Sequence, residues 1–254
     1  MINMKNVKML AGEFLACLFI SFWGLGLLIP LVVTGGISGM LAFSVTYGVL
    51  FGVTIILFAP LSGAQIDPGF SVAWTLDGVI KWRQLPFICI VQTMGWAGGC
   101  GLLYLLFGNV IESWAECGNN PVNLFLCSYP QGTVVSSFVI ETLMTAFLVL
   151  CVYVFLSDAF PLRPSKAFFP FAVGMVIMVL LLFGSSMTGT GINFARDLGA
   201  RVAAYLYGRT HGYDVSPVFG NGQWITYFTS CVSGAVTGRW LFHMLKRQTL
   251  REQC

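Results

Sequence analysis

Long uninterrupted runs of apolar residues dominate the chain, and such runs recur six times. They cover about residues 9–33, 39–60, 85–107, 134–157, 167–187 and 223–245. Each run is close to the roughly 20 residues that an α-helix needs to cross a bilayer. Two further apolar stretches, about residues 68–78 and 194–207, are too short to cross. The pattern predicts six transmembrane helices and two short helices that enter the membrane without spanning it.

The composition also indicates a membrane protein. Of the 254 residues 57% are hydrophobic and 9% are charged, and the mean hydropathy is +0.82. A soluble domain carries about 25% charged residues, so the composition argues against a soluble enzyme and against a nucleic-acid-binding protein. Glycines within the apolar runs allow close helix approach, which predicts one tightly packed transmembrane domain over residues 1–254.

Most of the lysine and arginine residues lie on one side of the predicted spans. They precede span 1, follow span 6 and occupy the connections 2–3 and 4–5, at Lys5, Lys8, Lys81, Arg83, Arg163, Lys166, Lys246, Arg247 and Arg251. The opposite connections, 34–38 and 108–133, contain neither residue type. The positive-inside rule therefore predicts that both termini are cytoplasmic. A helical bundle of this kind is expected in the plasma membrane, which is the inner membrane of a bacterium.

The polar chemistry predicts neither a metal site nor a cofactor. Most of the eight cysteines lie in apolar runs, where cysteine behaves as a small hydrophobic residue. Cys117 and Cys127 share one polar connection and form a disulfide if it faces an oxidising compartment; otherwise both stay free thiols. The two histidines have no cysteine at ligand spacing, and no motif of an enzyme is present.

The two halves of the chain carry matching polar positions. Glu13 in span 1 corresponds to Glu141 in span 4, and Asp67 corresponds to Asn193 at nearly the same separation. Because each half has three spans, the second half enters the membrane in the opposite orientation. The predicted inverted repeats cover about residues 8–107 and 134–245. Inverted repeats with short broken helices indicate a permeation site near the membrane midplane.

The ends of the two short helices follow from capping rules. Asp67 and Asn193 are good N-caps, and Pro68 occupies the favoured first helical position. Gly78 and Gly208 are the expected ends. Helices of about 11–14 residues are roughly 16–21 Å long and reach half-way across the bilayer. Their N-termini are therefore expected to meet beside a water-filled path, where their positive dipole ends repel cations.

These motifs resemble those of the major intrinsic proteins, the aquaporin and aquaglyceroporin channels, over about residues 8–245. In that family each half-helix begins with Asn-Pro-Ala. The two copies here are altered and read Asp67-Pro68-Gly69 and Asn193-Phe194-Ala195. The resemblance implies an all-α membrane protein with six transmembrane helices and two re-entrant half-helices in an inverted repeat. It also implies a homotetramer with one pore per subunit, no cofactor and no enzymatic activity.

The subfamily and the selectivity filter also come from the resemblance. Asp197 and the segment Ser128-Tyr129-Pro130 resemble the glycerol facilitators, so glycerol and water are the expected solutes. The four filter positions of the family correspond to Tyr47, Leu181, Thr190 and Arg196. Glycerol facilitators have Trp, Gly and Phe at the first three positions, and water channels have His at the second. The filter matches neither pattern, and the sequence does not predict its width.

The resemblance also assigns roles to buried polar residues. Glu13 and Glu141, with Gln92 nearby, are expected to accept hydrogen bonds from the half-helix loops. Arg196 is expected to donate to solute hydroxyls or, alternatively, to pair structurally with Asp197 or with a carbonyl group.

Asn193 is expected to cap its helix through its oxygen and to direct its NH₂ group into the pore. Ionised Asp67 accepts hydrogen bonds without donating any and weakens the barrier to cations, whereas neutral Asp67 regains one donor. In either form it is expected to alter selectivity. Phe194 is expected to fill the space left by Gly69.

Other functions stay open at this stage. The altered filter and Asp67 also suit a channel for urea, ammonia or an undissociated small acid. The two altered motifs also suit a non-conducting structural membrane protein. Inverted repeats occur in secondary transporters as well. The expected partners are the lipid bilayer, a small neutral solute and further copies of the chain, and no nucleic acid.

Overall fold

All regular secondary structure is helical in this computed structural model, which describes residues 4–127, 133–220 and 222–252. The helices are α1 (Met4–Ile20), α2 (Gly39–Ser62), α3 (Pro68–Leu76), α4 (Leu85–Ala115), α5 (Val134–Leu156), α6 (Phe169–Thr188), α7 (Phe194–His211), α8 (Ser216–Phe219) and α9 (Gln223–Glu252). Asn6–Val33, α2, α4, α5 and α6 are long and apolar enough to cross a membrane. The sixth long helix, α9, has 30 residues but is more polar. The predicted all-α membrane fold is confirmed.

The first span is not a regular α-helix throughout. Beyond Ile20 it continues as two turns of π-helix, Ser21–Leu25 and Ile29–Val33. Pro30 lies at the start of the second turn, where its missing N–H disturbs regular α-helical hydrogen bonding. A π-turn is wider than an α-turn and changes the direction in which the following side chains point. The last part of span 1 therefore presents its side chains in directions that a continuous α-helix would not give them.

The long helices pack in two similar groups around a central crossing. In one group α1 packs against α2 and α4, and in the other α5 packs against α6 and α9. The crossing joins α2 to α6 at Gly48 and Gly174. A Cβ atom on Gly48 would lie 2.5 Å from the carbonyl oxygen of Gly174, so no larger residue fits there.

The short helices α3 and α7 each pack against the other group. α3 lies mainly against α9, and α7 lies mainly against α4. The two short helices also contact each other. Each short helix therefore ties its own half of the chain to the opposite half.

The end of α7 differs from the prediction. α7 continues past Gly208 to His211, and Gly212 ends it with a φ of 75°. Gly208 is required by packing instead, because a Cβ atom there would lie 2.6 Å from Val215 and 2.7 Å from Val122. The prediction that Gly208 ends the helix was wrong. The segment Ser128-Tyr129-Pro130 lies outside the described residues.

Candidate pore and selectivity filter

The loops that lead into α3 and α7 share an unusual backbone. Ala64 and Ile66 have positive φ angles of 48° and 63°, and Thr190 and Ile192 have positive φ angles of 51° and 31°. A left-handed conformation costs a non-glycine residue roughly 1–2 kcal/mol. Such a conformation persists when the surrounding structure over-determines it. Other groups must therefore hold both loops in place.

Glu13 on α1 holds the first loop. Its carboxylate accepts hydrogen bonds from the backbone N–H groups of Gln65 (3.0 Å) and Ile66 (2.8 Å). It also accepts one from the side-chain amide of Gln92 on α4, at 2.9 Å. Glu13 is completely buried. These three hydrogen bonds to a buried side chain compensate the cost of the strained loop.

Glu141 on α5 makes the same arrangement in the second loop. Its two oxygens accept from the backbone N–H groups of Gly191 (2.9 Å) and Ile192 (2.6 Å). The hydroxyl of Thr188 donates to the same carboxylate. Glu141 is also completely buried. Each half of the chain therefore has one buried glutamate clamped to one strained loop.

Asp67 caps α3, and Pro68 follows at the first helical position. Oδ1 of Asp67 accepts from the backbone N–H of Gly69 at 2.8 Å and from the thiol of Cys231 at 3.4 Å. Its second oxygen, Oδ2, is buried without a hydrogen-bond partner in the described part of the chain. The tip of α3 thus presents one unsatisfied acceptor.

Asn193 caps α7 and also joins the two tips. Its side-chain oxygen accepts from the backbone N–H of Arg196 at 3.0 Å, and its NH₂ group donates to the carbonyl oxygen of Ile66 at 2.9 Å. The NH₂ group was expected to face the pore, but one of its two hydrogens is therefore bonded to the opposite loop. Ala195, the third residue of this motif, is completely buried.

Phe194 does not fill space left by Gly69. Its ring packs edge-on against the ring of Phe228 on α9, with ring centroids 4.6 Å apart. A Cβ atom at Gly69 would meet Cys231 and Ala235 on α9 at 3.1 and 3.5 Å. The expected small-for-large exchange was wrong, because both positions pack against α9 rather than against each other.

A cavity of about 390 Å³ lies beside the N-terminal tips of α3 and α7. It contacts α2 from Met40 to Ala59, which is nearly the whole length of that helix, so the cavity runs along the axis of the bundle. Its polar lining comes from the two loops and tips, at Gly63, Ala64, Gln65, Asp67, Gly189, Thr190, Gly191, Asn193 and Arg196. Much of the remaining wall is apolar. The cavity thus combines a polar stripe with an apolar wall.

All four predicted filter residues line this cavity. The hydroxyl of Thr190 is engaged with α6, 3.4 Å from the carbonyl oxygen of Leu180 and 3.5 Å from the hydroxyl of Ser185. Among the described residues, none hydrogen-bonds to the hydroxyl of Tyr47. Leu181 on α6 contributes an apolar surface.

Arg196 is held by the connection that follows α4. Its Nη1 donates to the carbonyl oxygen of Phe125 at 2.9 Å and lies 2.8 Å from the sulfur of Cys127. Within the described ranges no group accepts from Nε or Nη2, which leaves donors for a solute. Of the two structural alternatives, the ion pair with Asp197 was wrong, because Asp197 pairs with Arg201 instead. The contact with a carbonyl group is present, at Phe125.

The sequence analysis missed Arg201. Its Nε lies 2.8 Å from Oδ2 of Asp197, and both side chains are completely buried. Its Nη2 donates to the carbonyl oxygen of Cys127 at 2.9 Å, and its Nη1 donates to that of Val218. The four-residue spacing of Asp197 and Arg201 on a helix was a usable signal. Arg201 thus fixes the same connection that holds Arg196.

Cys117 and Cys127 do not form a disulfide. Cys117 is exposed, Cys127 is buried, and both are free thiols. Of the two alternatives left open by the sequence, the structure has the free thiols. Cys127 contacts Arg196, a predicted filter residue, which its sequence context did not indicate.

Asp77 ties the far end of α3 to α5 and α9. It accepts hydrogen bonds from the hydroxyl of Tyr153 (2.8 Å) and from Nε of Arg239 (2.7 Å), and Nε2 of His243 lies 3.0 Å away. Burial raises the pKa of Asp77, but these three contacts outweigh burial and hold the pKa below its usual range. Asp77 is therefore a paired end residue.

We expect acid to weaken this attachment. A carboxyl with a lowered folded-state pKa stabilises the fold above its unfolded pKa, and that stability is lost as the pH falls through the folded pKa. The free energy of unfolding should thus fall by about 1 kcal/mol below about pH 4, and Asp77→Asn should abolish this step. The measurement is the free energy of unfolding of the detergent-solubilised protein at several pH values. The exposed Asp158 provides the control Asp158→Asn, and an Asp77→Asn variant with an undiminished acid step contradicts the expectation.

Together the fold and the site define a class of protein. Its members are polytopic helical membrane proteins in which two half-helices meet tip to tip beside an axial cavity. Comparison with known proteins agrees with this class. The family model described as major intrinsic protein matches residues 1–242. The chain belongs to the major intrinsic protein family.

Individual relatives are similar over most of their length. An aquaporin of rice, Oryza sativa subsp. japonica, is 28% identical over 242 residues, which are 95% of this chain and 72% of that protein. A glycerol uptake facilitator protein of Pseudomonas aeruginosa is 28% identical over 238 residues, 89% of this chain and 83% of that protein. The X-ray structure of the aquaglyceroporin from Plasmodium falciparum has a TM-score of 0.82 at 22% identity, over 96% of this chain and 98% of that one. This structural similarity supports the helical membrane fold described above.

Proposed function

We propose that the chain forms a passive channel for small neutral solutes, with glycerol and water as the principal ones. The observation that carries the proposal is the axial cavity with a polar stripe facing an apolar wall. A polyol has hydroxyls on one edge and CH groups on the other, so it matches both surfaces. The names of the relatives, aquaporin and glycerol uptake facilitator, support the same solutes.

The filter residues have distinct roles in this proposal. Arg196 donates hydrogen bonds to passing hydroxyls through the guanidinium nitrogens that the protein leaves free, and its charge opposes cations. Tyr47 and Leu181 limit the width of the pore. Asn193 offers its remaining amide hydrogen at the tips. Glu13 and Glu141 do not touch the solute and act as supports for the two loops.

The proposal extends to membrane placement and assembly. Both termini are cytoplasmic, as the distribution of lysine and arginine indicates, and the membrane is the plasma membrane. The two halves are inverted repeats, and the channel has no catalytic activity. The protein is proposed to be a homotetramer with one pore per subunit, as the resemblance to the family implies. Exposed apolar side chains such as Leu57, Leu105 and Phe183 lie on outer faces available to lipid or to neighbouring subunits.

Flux into proteoliposomes tests the function directly. Purified protein is reconstituted, and stopped-flow light scattering follows water, glycerol and urea gradients against empty liposomes. Glycerol and water permeabilities well above those of bare lipid, driven by the solute gradient alone, are expected. Fluxes equal to bare lipid for all three solutes overturn the channel proposal, and a requirement for an ion gradient indicates a transporter.

Urea is a second candidate solute, and one observation favours it. The unpartnered Oδ2 of Asp67 is a hydrogen-bond acceptor at the tip of α3. Urea carries four N–H donors, one more than the three O–H donors of glycerol. In the same experiment a urea permeability exceeding that of glycerol supports this second assignment.

A further inference from the structure

The first π-turn of span 1 lies directly behind a filter residue. Gly24 is buried in the turn Ser21–Leu25. A Cβ atom added at Gly24 would lie 2.8 Å from Cε2 and 3.2 Å from Cδ2 of Tyr47 on α2. It would also lie 3.1 Å from Cδ1 of Ile20. Carbon atoms prefer separations of about 3.5–4.0 Å, so even one methyl group does not fit while the ring keeps its place.

The ring of Tyr47 has free space on its other side. Tyr47 lines the axial cavity, and its ring centroid lies 5.7 Å from that of Phe43 on the same helix. Within the described residues no hydrogen bond to the Tyr47 hydroxyl fixes the ring of Tyr47. Its position is therefore set by packing alone. An atom placed behind the ring therefore displaces it by roughly 1 Å into the cavity.

We infer that Gly24 is a positioning residue that sets the width of the selectivity filter through Tyr47. The inference rests on the proposed function. The absence of a side chain at Gly24 lets the Tyr47 ring lie back against the π-turn Ser21–Leu25 of span 1. A water molecule passes a filter narrowed by roughly 1 Å more readily than a three-carbon polyol does. Gly24 thus favours glycerol over water.

The test compares glycerol and water permeabilities in proteoliposomes that hold equal amounts of full-length protein. Gly24→Ala is expected to lower glycerol permeability about tenfold and water permeability less than about twofold. Gly98→Ala is the matched control, because a Cβ atom at Gly98 meets only Cδ1 of Leu18 at an ordinary 3.6 Å. It should leave both permeabilities unchanged.

A double-mutant cycle shows whether the effect passes through the ring. In a Tyr47→Leu background no ring is present, so Gly24→Ala should leave the glycerol-to-water ratio unchanged. The same loss of glycerol flux in both backgrounds overturns the inference, and so does an equal loss of both fluxes with Gly24→Ala. A wild-type protein that passes neither solute refutes the channel proposal itself. A conducting wild type with an unchanged ratio in Gly24→Ala refutes only the role of Gly24.

Discussion

Replacing Glu141 with glutamine is expected to destabilise the protein by about 2–4 kcal/mol and to abolish most solute flux. The carboxylate accepts from two backbone N–H groups and one hydroxyl, all buried. Glutamine keeps one oxygen but directs an NH₂ group at the N–H of Ile192, which now lies 2.6 Å from an acceptor. A buried donor left without an acceptor costs about 1–3 kcal/mol, and the two facing donors also repel each other. The strained backbone at Thr190 and Ile192 then loses its support.

The measurements are thermal unfolding in detergent and glycerol flux in proteoliposomes. Glu116→Gln is the matched control, since Glu116 is exposed and follows the end of α4. It should behave like the wild type in both measurements. Equal stability of the Glu141→Gln and Glu116→Gln variants would show that the buried carboxylate does not hold the loop.

At a pH where Asp67 is ionised, Asp67→Asn is expected to reduce proton and cation leak through the pore by about a hundredfold. The half-helix tips each contribute roughly half a positive charge, which repels cations. The negative charge of an ionised Asp67 offsets this barrier. A unit charge about 6 Å from a permeating ion contributes about 3 kcal/mol at an effective dielectric constant of about 20, and this energy corresponds to about a hundredfold in rate. Asparagine keeps the side-chain oxygen that caps Gly69 and removes the charge.

A pH-sensitive dye inside the liposomes measures the proton leak, and glycerol flux is recorded in parallel. Glycerol flux should change less than about threefold because the cap of α3 is kept. Asp158→Asn removes one negative charge from an exposed connection and should leave the leak unaltered. A leak that is the same in the wild type and in Asp67→Asn would rule out a charge effect of Asp67 on permeation.

Much of the fold was predictable because its signals are local in the sequence. Apolar runs of membrane length stand out by themselves, and the caps Asp67 and Asn193 mark where α3 and α7 begin. The four expected filter positions came from the resemblance to the family and were placed by counting from these caps. The spans and the caps themselves are encoded within a few turns of the chain.

The contacts that refine the site were not predictable in the same way. The contact of Cys127 with Arg196 joins residues on separate elements, and no periodicity encodes it. Gly208 looked like a helix end because glycine favours positive φ, but packing against Val122 requires glycine there for a different reason. Gly24 lies in a π-turn, and a pattern based on 3.6 residues per turn does not reveal such a turn.

The hydrogen bond between Asn193 and the carbonyl oxygen of Ile66 has a consequence for biogenesis. A ribosome delivers the chain from its N-terminus, so α3 is synthesised long before its partner at the opposite tip. Until α7 and α9 arrive, the carbonyl of Ile66 lacks this donor and Asp67 lacks the thiol of Cys231. The first half of the chain is therefore inserted in the membrane while the polar tip of α3 still lacks these two hydrogen-bond donors. Insertion of the later half supplies both missing donors, so we expect the final folding step to be cooperative.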